Sequence, residues 1–148
     1  VPQRMYPFFR GQAPLLTPFT PLPTRTAISE EGLFRVGAQG SRVEELKAGW
    51  DNGTMTTFTE KNPHNVATLL KHYFKELPEP LFISETYGRF NELVDEEDMN
   101  VKLQKLHTLV MCQPPNHLKT ARFLFDFLKR LADNSSINKM TPSNMYPL

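Results

Sequence analysis

Proline decides where helices can form in this chain. Six of its 13 prolines (Pro2, Pro7, Pro14, Pro18, Pro21 and Pro23) fall within residues 1–28. Each removes a backbone donor and drives the preceding residue out of the helical region, so no helix of ordinary length fits there. Residues 1–28 therefore read as a proline-rich, extended leader, with Tyr6, Phe8, Phe9 and Phe19 as aromatic docking points. Pro18 to Pro21 has the look of an SH3-type ligand, but such spacings arise by chance in any proline-rich stretch. Further on, prolines punctuate the chain instead of filling it.

Between those marks the apolar residues recur at helical spacing. Ser41 with Glu44 three residues later makes a capping box, and residues 42–51 read as a short helix carrying Val43, Leu46 and Trp50. Asn52-Gly53 stops it. Asn62 can cap the next helix, with Pro63 at the first position, where a missing N–H has no consequence. Val66, Leu69, Leu70, Tyr73, Phe74 and Leu77 then form one stripe that ends at Pro78-Glu79-Pro80. Lys71 and Lys75, four apart, lie side by side on this helix. Residues 84–94 read as a short amphipathic helix. Residues 98–112 place Val101, Leu103, Leu106, Leu109 and Val110 inward. After Pro114-Pro115, residues 116–133 are apolar almost all round (Leu118, Ala121, Phe123, Leu124, Phe125, Phe127, Leu128 and Leu131), as expected of a central, buried helix. Asn134 to Ser136 reads as a loop, and Thr141-Pro142 as another helix start. No strand alternation or internal repeat occurs, so the expected fold is all-α.

With 148 residues, 39% hydrophobic and 22% charged, the chain has the make-up of one globular domain. A net charge of +1 is too balanced to imply nucleic acid or an anionic membrane as the main partner. No apolar run is long enough for a bilayer span, so direct membrane insertion is not expected. The single cysteine, Cys112, excludes an internal disulfide and any multi-cysteine metal site, and reads as a buried core thiol of a cytoplasmic protein. His64 and His72, eight apart on one helix, cannot close on one metal ion, and no metal site is expected. Gly37-Ala38-Gln39-Gly40 lacks the Lys-Ser/Thr of a phosphate loop, and no nucleophile elbow occurs, so an autonomous hydrolase is a poor reading.

What remains is Arg35 in a glycine-bounded loop, with two lysines on a nearby helix. An arginine there can present five fixed donors to phosphate oxygens. Supplied in trans to a nucleotide-hydrolysing partner, it can speed hydrolysis by about 10³–10⁵. From the residues alone, a solvated loop arginine stands as the alternative.

The words around these residues carry more. Glu31-Gly32-Leu33-Phe34-Arg35-Val36 resembles the E-G-[IL]-[FY]-R-[IV] signature of Rho GTPase-activating domains. Glu60 follows 29 residues after Glu31, and His64 to Leu81 is similar, nearly word for word, to the family's H-x-V-A-x-L-L-K-x-[FY]-[FL]-R-E-L-P-E-P-L helix. Leu106 to Leu109, Pro114 to His117, Leu124 to Leu128 and Asn138 to Met145 resemble further family elements in the same order.

The resemblance implies a multi-helix RhoGAP-type domain over residues 29–148, incomplete because the family's further C-terminal helices are missing, with the leader in place of its first helix. It implies Arg35 as the catalytic arginine finger, reaching the nucleotide and helping to hold the partner's own glutamine. Lys71 matches the lysine that supports the finger loop. Lys75 stands where the family has arginine on the GTPase-facing surface, and loses the bidentate fork. Asn144 matches the asparagine near the GTPase switch regions, and Pro78 and Pro80 shape the binding face. The implied partner is a Rho-family small GTPase in its GTP-bound form. GTP and Mg²⁺ would belong to that partner, leaving this chain with no cofactor of its own. Recruitment to membranes would come through other domains of a longer protein. Two alternatives remain: a scaffold that binds the GTPase without activating it, and a shortened domain that does not fold stably.

Overall fold

A computed structural model describes residues 24–52, 60–77 and 79–145. The leader up to residue 23 and Pro78 lie outside the described residues. Among those described there are helices and turns but no strand. In order they are α1 (Arg25–Ile28), α2 (Gly40–Asp51), α3 (Pro63–Lys75), a 3₁₀ turn (Ser84–Thr86) running into α4 (Tyr87–Glu92), α5 (Met99–Met111), α6 (Pro115–Asp133), α7 (Ser135–Asn138) and a 3₁₀ turn (Pro142–Met145). The chain divides into two compact units, one running to Tyr73 and resuming at Asp126, the other Phe74–Phe125.

In the first unit the core is made by Ala27 and Ile28 of α1, Leu33 and Phe34 of the following turn, Val43 and Leu46 of α2, and Val66, Ala67, Leu69 and Leu70 of α3, with Phe127, Leu131 and Met140. The α3 start follows the expected chemistry. The Asn62 side chain accepts the His64 N–H at 3.0 Å, and its carbonyl accepts those of Asn65 and Val66. The start of α2 differs from the sequence expectation. Its first helical bond runs from the Val43 N–H to the Gln39 carbonyl, so Ser41 lies inside the helix and does not cap it. The cause is tertiary: Asn65 on α3 accepts the Gln39 N–H at 3.2 Å and fixes the chain before Ser41 is reached.

In the second unit Asp98 caps α5, accepting from Asn100 at 2.8 Å and Val101 at 3.2 Å. Gln113 is buried and ties the 83–86 turn to α5. It accepts from the Ile83 N–H and donates to the Thr86 hydroxyl and the Leu109 carbonyl. Only part of the expected α5 stripe is inward. Leu109 is buried, whereas Leu103 and Leu106 are 54% and 38% exposed. At 100° per residue Leu103 lies about 120° round the helix from Leu109, and only the Leu109 side is covered. Cys112, expected in the core, is exposed at the α5 C-cap.

Pro115 opens α6, with the Leu118 N–H donating to the Pro114 carbonyl. This helix is amphipathic, not buried all round. Phe127 is 2% exposed and Phe125 51%, because positions two apart on a helix face nearly opposite sides.

Candidate functional site

Residues 31–36 form a tight turn whose backbone is dictated by two left-handed residues. Gly32 has φ +69° and Phe34 φ +73°. The Arg35 and Val36 N–H groups both donate to the Gly32 carbonyl at 2.8 Å. A side chain at Gly32 would be strained and would force a shift, since a Cβ would meet Val36 Cγ2 at 2.7 Å. Phe34 is different, because a bulky side chain at positive φ is strained by about 1–2 kcal/mol and persists only where its surroundings hold it. Two contacts do so. Its ring is buried edge-on against Phe127, centroids 5.8 Å apart, and its carbonyl accepts from Lys71 Nζ at 2.6 Å.

The consequence falls on the next residue. With Leu33 and Phe34 directed into the core, Arg35 is turned outward and exposed. Its guanidinium makes no hydrogen bond or ion pair with another described residue, which leaves its donors for a ligand. Lys71 carries positive charge to within one hydrogen bond of the same loop.

Both flanks of the loop are fixed. On one side the Gly32 N–H donates to the Asn138 carbonyl at 2.8 Å. The Asn138 side chain, wholly buried, donates to the carbonyls of Ile28 and Leu131, both at 2.8 Å, and accepts from the Met140 N–H. Asn144 belongs to the same stretch, half-buried, with its amide donating to the Lys139 carbonyl at 2.8 Å. On the other side lies the Asn65–Gln39 bond, backed by Glu60. Its side chain, only 9% exposed, accepts from Arg42 at 2.8 Å and from the Asn62 N–H at 2.9 Å. Burial pushes the Glu60 carboxyl up, but the Asn62 N–H and the Arg42 guanidinium outweigh it, and the group lies below its ordinary value of 4.5. His64 Nε2 stands 3.4 Å from Glu30, just before the turn.

Arg35, Lys71 and Asn144 thus fall in one unit, with Lys71 joined to the loop by the Phe34 carbonyl. Lys75 and Pro80 are exposed and belong to the other. Two residues of the site had no role in the sequence reading. Phe34 was a motif letter without a conformation, and Asn138 a motif letter without partners. The only signal for Asn138 was an amide placed beside the apolar Ile137 and Met140. No group of three or more His, Cys, Asp or Glu side chains that could hold a metal ion occurs among the described residues. No helix among them is long and apolar enough to cross a membrane.

The described residues thus make an all-helical fold with an exposed arginine on a lysine-held turn. This chain belongs to the RhoGAP domain family, whose sequence model matches residues 22–146. It is 43% identical over 122 residues to Rho GTPase-activating protein 17 of Mus musculus, and 38% identical over 120 residues to SH3 domain-binding protein 1 of Homo sapiens. The matches cover 81% and 80% of this chain but only 14% and 17% of those relatives, so the chain spans a small part of their length. Among solved structures it is similar to the BH domain from Graf, the GTPase regulator associated with focal adhesion kinase. That match has a TM-score of 0.76 at 27% identity, covering 84% of this chain and 68% of that one. Human Rho GTPase activating protein 15 matches with the same TM-score at 26% identity, over 82% of this chain and 58% of that one.

Proposed function

We propose that this chain accelerates GTP hydrolysis on a Rho-family small GTPase by supplying Arg35 in trans as an arginine finger. The observation that carries the reading is the turn itself. Phe34 is buried at positive φ, Lys71 holds its carbonyl at 2.6 Å, and Arg35 is left exposed, its guanidinium unpaired with any other described residue. Phosphoryl transfer to water spreads negative charge over the γ-phosphoryl oxygens in the transition state. A guanidinium delivered there stabilises that charge more than it stabilises the ground state. A loop already held in one conformation loses little freedom on docking. The family match and the likeness to Rho GTPase-activating protein 17 support the choice of partner.

In this reading the partner arrives GTP-bound, and GTP and Mg²⁺ are its own, with no cofactor resident in this chain. Asn144, Lys75 and Pro80 contribute contact surface. The cytoplasm is the place of action, a compartment in which the exposed Cys112 stays reduced. A second reading, GTPase binding without activation, draws on Lys75, a point charge where a forked guanidinium would bind a carboxylate twice.

Single-turnover GTP hydrolysis by a panel of Rho-family GTPases decides between them. The expected result is acceleration of about 10³-fold or more, lost in Arg35→Ala while binding to the GTP-loaded partner survives. Binding with no acceleration, unchanged by Arg35→Ala, would establish the scaffold reading. A folded chain that neither binds nor accelerates any member would remove both.

A further inference from the structure

We infer that Asn138 is a positioning residue for the arginine finger, setting the register of the 31–36 turn from the far end of the chain; this rests on the reading of Arg35 given above. A buried primary amide offers two donors and two acceptor sites. Three of Asn138's four are used by three separate segments: the Ile28 carbonyl at the end of α1, the Leu131 carbonyl in α6, and the Met140 N–H. The amide can sit only one way round, because reversing it would set its oxygen against two carbonyl oxygens.

That fixed side chain also fixes its own backbone. The Asn138 carbonyl, held by the same residue, receives the Gly32 N–H at 2.8 Å. Gly32 is the pivot of the turn, since the Arg35 and Val36 N–H groups close onto its carbonyl. A displacement of Asn138 is therefore carried through a single residue, Gly32, to the base of Arg35. It is carried in the other direction too, through Lys139 at φ +60° to the carbonyl that holds the Asn144 amide. Asn138 thus couples the finger to the segment bearing Asn144, and Lys71 holds the opposite end of the turn through Phe34. Removing the side-chain amide leaves Gly32's bond chemically possible but less firmly located, because the Ile28 and Leu131 carbonyls lose their common partner and the backbone bonds to Asn134 and Ser135 are left to hold this stretch.

A residue that only stabilises the fold and one that aims the finger differ in kinetics. The test compares the full chain with Asn138→Ala and with the milder Asn138→Ser, each shown folded by circular dichroism at the assay temperature. Readouts are the saturating rate of stimulated hydrolysis and the GTPase concentration giving half of it. The expected result is a fall of about 10- to 100-fold in the saturating rate, as for a misplaced catalytic group, with the half-saturating concentration changed less than threefold. In an Arg35→Ala background, adding Asn138→Ala is expected to lower the residual rate no further.

An unchanged saturating rate in a folded Asn138 variant, with Arg35→Ala inactive, overturns the positioning role and leaves the finger reading standing. Full stimulation by Arg35→Ala itself removes the finger reading instead. If neither Asn138 variant folds, amide hydrogen exchange on the unaltered chain decides. Gly32 and Met140, both bonded to Asn138, are expected to exchange slowly and at a common rate. A Gly32 amide exchanging as fast as an exposed turn overturns the proposal.

Discussion

Replacing Gly32 by alanine separates two costs that the turn imposes on one position. The first is conformational. At φ +69° an L-residue is strained by about 1–2 kcal/mol, offset by about 0.4–1 kcal/mol because alanine also restricts the unfolded chain. The second is steric. The new Cβ would lie 2.7 Å from Val36 Cγ2, and a β-branched side chain has few rotamers into which to retreat. Overpacking of this kind costs about 1–3 kcal/mol, and the lower end applies because Val36 is 48% exposed and its backbone can give. Together Gly32→Ala is expected to destabilise the protein by about 1–3 kcal/mol. Urea unfolding followed by circular dichroism reads this as a lower midpoint with an unchanged slope. Adding Val36→Ala relieves the contact but not the dihedral, so the double variant should recover part of the loss and not all. A midpoint equal to that of the unaltered chain, or complete recovery in the double variant, refutes the account of the turn.

Other predictions come from the same structure. Lys71→Met keeps much of the aliphatic stem but leaves the Phe34 carbonyl without its charged donor, a loss of about 1.5–3 kcal/mol for the held turn. Stimulated hydrolysis is expected to fall by roughly tenfold or more, with the far-ultraviolet spectrum unchanged. Phe127→Ala should destabilise by about 3–5 kcal/mol, and Phe125→Ala by less than about 1 kcal/mol, measured by chemical unfolding. Equal effects would contradict the one-sided burial of α6. Glu60, with its pKa depressed below 4.5 in the folded protein, binds a proton more readily when unfolded. Its contribution to stability is therefore complete above pH 4.5 and is lost as pH falls through the depressed value. Glu60→Gln is expected to be less stable at neutral pH and to show a smaller loss on acidification, read as thermal midpoints across pH 3 to 7.

What the sequence could and could not say follows from the range of the forces involved. The start of α3 was legible because Asn62 and Pro63 act on their own neighbours, and α5 and α6 because prolines or gaps in the apolar period bracket them. The one-turn helices α1 and α7 were not, since four residues carry no period to detect. Periodicity marked Leu103, Leu106 and Phe125 as apolar positions but cannot say which side of a helix is covered. The site divides the same way. Arg35 and Lys71 stand in recognisable words, whereas the left-handed Phe34 and the Asn138 amide depend on partners far off in the chain.

That distance bears on how the protein is made. Asn138 and Ile28 are 110 residues apart, and the ribosome adds about 5–20 residues each second. For on the order of ten seconds after Ile28 and Gly32 are synthesised, the 31–36 turn has its internal bonds but not the Asn138 carbonyl that receives the Gly32 N–H. A chain that ends before residue 138 therefore carries Arg35 in a turn without its Asn138 anchor. The last anchor of the turn is thus acquired late, once synthesis has passed residue 138.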